Sequence, residues 1–151
     1  MSSSSIYSSI VSCQAQIDNL IASINRLRSK TNDQITALSR FKEKRNHYLD
    51  EFDDRKMRGE NVSNHKEIAV LAERFQAKST VELSQGRRSS IDNAMETIQQ
   101  KMQDEIKQHN ETIVQQEAML NQVKSRIAQL RTDYTNALRA EKEERQRTEM
   151  Q

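Results

Sequence analysis

The order of apolar and polar residues writes a helix from the first few residues onward. Reading from Ile6 in alternating steps of four and three gives Ile6, Ile10, Cys13, Ile17, Leu20, Ile24, Leu27, Thr31, Gln34, Leu38, Phe41, Arg45, Tyr48 and Phe52. Only Thr31, Gln34 and Arg45 in that row are polar, so the row is a sustained heptad seam of the kind that pairs long helices. The serines at positions 2 to 5 can cap its start. The pattern predicts a first helix over about residues 5–57.

The seam then stops. The stretch from Asp53 to Asn64 is polar, carries Gly59, and offers Asn61, Ser63 and Asn64 for turns or caps. A connector is expected over about 58–78, holding a short helical piece with Ile68, Leu71, Ala72 and Phe75 on one face. Ser79-Thr-Val-Glu82 fits a capping box, in which serine caps the third amide and glutamate reaches back. A second long helix is therefore expected over about 79–145, with Gly86 weakening its first turns and a frayed tail running to 151.

Its seam reads Ile91, Met95, Ile98, Met102, Ile106, His109, Ile113, Gln116, Leu120, Val123, Ile127, Leu130, Tyr134 and Ala137. Two successive steps of four, from Ile98 to Ile106, predict a stutter that locally unwinds the supercoil. Two seams of similar length in one chain can fold onto each other. With Phe52 near Arg88 or Ile91, facing residues have numbers adding to about 140 in an antiparallel pair. Thr31 then falls opposite His109, Gln34 opposite Ile106, Cys13 opposite Ile127 and Ile6 opposite Tyr134. The fold class expected is all-α: a long antiparallel two-helix hairpin, coiled-coil-like, with a short helical segment in its connection.

Composition supports this and removes several alternatives. The chain has 151 residues, no proline, no tryptophan and two glycines, which leaves little except helix. Charged residues make up 30% and the apolar class 34%, which suits a thin seam better than a globular core. The net charge of +2 gives no footprint for a polyanion, because acidic residues surround Arg26, Arg28 and Lys30 as well as Arg87 and Arg88. No apolar stretch is long enough to span a bilayer, and the opening residues lack the basic and apolar regions of a secretory signal.

Candidate chemistry is sparse. His109 reads as a polar layer in the seam, while His47 and His65 lack a second ligand at helical spacing, so no metal site is expected. Cys13 reads as a small core residue with no base beside it. There is no glycine-rich phosphate loop, and no catalytic residue, cofactor or metal is assigned.

Apolar residues remain after the seams are filled. Tyr7, Ile21, Ile35 and Leu49 recur at intervals of fourteen on one flank of the first helix, and Val114 and Met119 lie off the second seam. Such a flank widens the apolar stripe toward another helix. With Phe75 in the connector, these are the candidate partner-binding residues.

The segment Arg74-Phe-Gln-Ala-Lys-Ser-Thr-Val-Glu-Leu, the later Gln-Val-Lys-Ser-Arg-Ile-Ala-Gln-Leu-Arg, and the opening Ile-Tyr-Ser-Ser-Ile-Val-Ser-Cys-Gln-Ala-Gln-Ile-Asp-Asn-Leu-Ile resemble small helical proteins that accompany LXG toxins of bacterial type VII secretion. Those proteins are similar to the WXG family of helical hairpins. Phe75 and Lys78-Ser79-Thr80 match the surroundings of that family's turn element, whereas Ala77 stands where glycine is expected. The family's export pattern, tyrosine followed four residues later by an acid, is absent: Tyr48 is followed by Phe52 and Tyr134 by Leu138. The resemblance implies a targeting or chaperone subunit that binds the helical N-terminal domain of an LXG-type toxin, beside a second small helical protein that carries the signal. It implies residence in a bacterial cytoplasm, with export by a Sec-independent route as cargo company. The alternative on the residues alone is a self-assembling structural coiled coil, a homodimeric four-helix bundle. Neither reading requires nucleic acid or membrane insertion.

Overall fold

The computed structural model of the chain describes residues 2–63 and 85–150. The connector helix, Phe75, Ala77 and the capping box at 79–82 lie outside the described residues. Two α-helices account for nearly everything described: α1, Ser3–Ser63, and α2, Gln85–Glu149, with no strand among the described residues. The two pack against each other in antiparallel sense, so the hairpin expected from the paired seams is the fold. Both helices outrun their expected ends. α1 continues through Gly59 to Ser63, because one glycine inside a helix costs only about 1 kcal/mol. α2 remains helical through the charged 142–149 segment instead of fraying at 145, helped by residues of high helix propensity.

Close contacts divide the chain into two units, Met1–Thr31 with Gln108–Gln151, and Asn32–Lys107. In the first unit the core is apolar. Cys13, Ile17 and Ile127 are buried together, with Ile10, Leu120, Val123 and Leu130 packed against them. Ile6, Ile24, Ile113 and the side chain of Thr31 are buried as well, and Thr31 Oγ1 satisfies itself by donating to the Leu27 carbonyl at 2.8 Å. Cys13 lies against Ile127 as the register requires, and the rings of Tyr7 and Tyr134 are 6.0 Å apart.

The start of α1 is capped twice. Ser2 Oγ accepts from the Ser5 amide at 3.3 Å, the bond expected of a serine cap. The Ser3 amide and the Ser3 hydroxyl both donate to the Glu141 carboxylate, each at 2.9 Å. A carboxylate from α2 thus sits on the free amides of α1, where the helix dipole also favours negative charge.

In the second unit the seam is more polar. Among its described residues Phe52 is buried, with Leu38, Phe41, Leu49, Met95, Met102 and Ile106 half-buried. Arg45 projects into the seam with its side chain 15% exposed. Its Nε and Nη2 donate to Asp92 Oδ1 at 3.0 and 2.6 Å, and its Nη1 donates to Glu96 Oε2 at 2.6 Å and Gln99 Oε1 at 2.9 Å. These bonds, Asp92 first and Glu96 second, raise the guanidinium pKa further and keep it charged. Arg88 forks onto Asp53 at 2.8 and 3.2 Å, and Gln34 donates to Glu105 at 3.3 Å.

This cluster corrects the second seam. Ile98 is 48% exposed, while Gln99 is half-buried beside Arg45. Taken through Asp92, Met95, Gln99, Met102, Ile106 and His109, the inward positions keep alternating steps of three and four, so no stutter falls between Ile98 and Ile106. The irregular step sits on α1 instead. Tyr48 is 42% exposed and Leu49 is half-buried, which places two successive fours at Phe41, Arg45 and Leu49.

Candidate partner-binding face

A heptad seam covers a helix only along one stripe, and the positions immediately beside it are where a neighbouring layer would rest. In the first unit the observed flank is fixed by an ion pair between Arg28 of α1 and Glu117 of α2. Beside it lies an open groove. Ile21 and Asn25 line one wall, Asn121 joins Glu117 on the other, and Ile24 and Leu120 form its floor. Steps of seven from Arg28 and Glu117 return to the same flank, so Tyr7 and Ile21 on α1 share a side with Leu138 on α2.

Exposure separates the candidate residues. Tyr7, Ile21 and Val114 in the first unit are exposed at 56%, 40% and 64%, and Ile35 in the second unit is exposed too. Leu49 is half-buried toward the seam and Phe75 lies outside the described residues. Val114 and Met119 are both exposed, yet five residues of helix turn them well apart, so they do not form one patch. Val11 and Leu138 were not singled out by the fourteen-residue spacing, although both are exposed. Val11 lies one helical turn after Tyr7, and that i,i+4 relation was the available signal.

Cys13 is buried among aliphatic side chains. Among the described residues, no three of His, Cys, Asp and Glu are grouped to hold a metal ion, and no helix is long and apolar enough to cross a membrane. The Glu141 carboxyl is held below its ordinary value, chiefly by the Ser3 amide, then by the Ser3 hydroxyl, with Arg145 adding a smaller effect. Gln116 places a buried Oε1 in the first unit's seam without a donor among the described residues. The Ser3–Glu141 bonds tie α1 to α2.

No protein-family model matches the chain, and no curated protein or solved structure matches it either.

Proposed function

We propose that this chain is a non-catalytic binding subunit that lays its helix pair against the long helices of a cargo protein, as the accessory proteins of LXG toxins do for type VII secretion. One observation carries the reading: large apolar side chains stand exposed at seam-flanking positions, Tyr7 and Ile21 in the first unit and Ile35 in the second. A single seam between two helices leaves such side chains in water unless another helix covers them. The sequence resemblance around Arg74–Leu83 and in the opening residues supplies the class of cargo, the helical targeting domain of an LXG-type toxin with a second small helical protein beside it.

The test is co-purification from the native cell with Ile21→Glu and Ile35→Glu combined. Helicity should stay within a few per cent of the parent, since exposed substitutions cost little. Cargo capture should fall at least about tenfold, because each carboxylate would be buried in an apolar interface. Leu20→Glu with Ile24→Glu, inside the seam, should unfold the pair. Undiminished capture by the flank variant, or a parent that yields only copies of itself, would refute the reading and favour the homodimeric bundle.

A further inference from the structure

The flank of the first unit that carries the groove extends beyond it by heptad steps. Along α1 it presents Ile21 at the groove and Tyr7 and Val11 further along, all exposed. Along α2, the positions on the same side as Glu117 and Asn121 are Lys124, Ala128, Arg131, Thr135, Leu138, Lys142 and Arg145, following steps of three and four. Between Glu117 and Arg145 that edge carries four bases and no acid other than Glu117, which Arg28 neutralises across the groove, and the next acid on the row is Glu149 at the end of α2. Lys124, Arg131 and Lys142 make no ion pair among the described residues. Arg145 acts on Glu141 from a distance. On the α1 side Asp18 is the carboxylate nearest the wall, and Gln14 Nε2 already donates to it at 3.2 Å.

We propose that this groove receives an amphipathic helix of the partner whose apolar stripe is flanked by aspartate and glutamate. The inference rests on the partner-binding reading above and adds the partner's charge. Exposed Tyr7, Ile21 and Leu138 call for an apolar stripe. Lys124 and Arg131 stand one heptad apart, roughly 10 Å along the axis, which matches one carboxylate per heptad on a helix laid alongside. A second copy of this chain would bring its own basic α2 edge to the groove, and like charges across an interface count against it. A nucleic-acid backbone would meet the same bases but leave the apolar wall uncovered.

The test uses the full chain and two synthetic helical peptides of about four heptads with the same leucine stripe, one flanked by Glu and one by Lys. Fluorescence anisotropy should show the Glu peptide binding at least about tenfold tighter, with an advantage that shrinks as salt is added. Lys124→Glu with Arg131→Glu should abolish or reverse that preference while circular dichroism is unchanged. Equal binding of both peptides would overturn the acidic preference alone and leave the partner-binding reading standing. Binding of neither peptide would overturn the groove as the docking site, and co-purification would decide the broader reading separately. Tighter binding to a short DNA duplex than to the Glu peptide, or a dimer dispersed by Ile21→Glu, would overturn the proposed occupant.

Discussion

Glu141 illustrates how one side chain can carry work the local sequence does not announce. The serine run at positions 2 to 5 marks a helix start, and Ser2 does cap it. The stronger cap is Glu141, which accepts two bonds from Ser3 although 138 residues separate them. Capping statistics are local, so a carboxylate delivered by the antiparallel partner is invisible to them. Because folding holds the Glu141 carboxyl below its ordinary value near 4.5, the unfolded chain binds its proton more readily. The stabilisation is therefore fully present above that ordinary value and is lost as pH falls through the lowered one. Urea melts of the parent and Glu141→Gln should differ at about pH 7, with the variant weaker, and the difference should vanish in acid. A difference that grew on acidification would contradict the assignment.

At the scale of the helices, the apolar rows gave two long elements, and setting Phe52 near Arg88 or Ile91 gave an antiparallel register. Cys13 against Ile127 and Tyr7 beside Tyr134 lie where numbers adding to about 140 place them. The reading failed where a polar residue occupies an inward position. Apolar counting prefers Ile98 to Gln99, but Arg45 inside the seam needs acceptors, and Asp92 and Gln99 supply them, while strict alternation of steps prefers Tyr48 to Leu49. A buried guanidinium left unsatisfied costs more than an exposed isoleucine, so polar pairing overrides the hydrophobic row. Tyr7, Ile21 and Ile35 keep the fourteen-residue period and are exposed. Leu49 was misplaced with the step beside it. The register itself can be tested with one substitution. Ile127→Cys should form a disulfide with the native Cys13 under mild oxidation, within a single chain, visible as a faster monomer band on a non-reducing gel. Crosslinks only between chains would mean that the helices pair as separate molecules.

Across the whole molecule, the two units are held by different kinds of contact, and each should open at its own free energy. The first unit buries Ile6, Cys13, Ile17, Ile24, Ile113 and Ile127, whereas among the described residues of the second the buried apolar side chain is Phe52. A fully buried aliphatic side chain contributes about 1.5–3 kcal/mol. An ion pair with an exposed partner contributes about 0–1 kcal/mol, and Glu96 beside Arg45 and Asp53 beside Arg88 are both exposed by half or more. Several isoleucines therefore outweigh the Arg45 cluster even when its hydrogen bonds are counted at about 1 kcal/mol each. Native-state hydrogen exchange should reflect the imbalance. Amides of residues 13–24 and 113–127 should exchange at least about tenfold more slowly than those of residues 41–52 and 92–102, since tenfold needs only about 1.4 kcal/mol of extra opening cost. Raising salt should speed exchange in the second unit more than in the first, because only there do charged contacts carry much of the seam. Equal protection in both units, insensitive to salt, would mean that the Arg45 network holds its helices as firmly as an apolar core does.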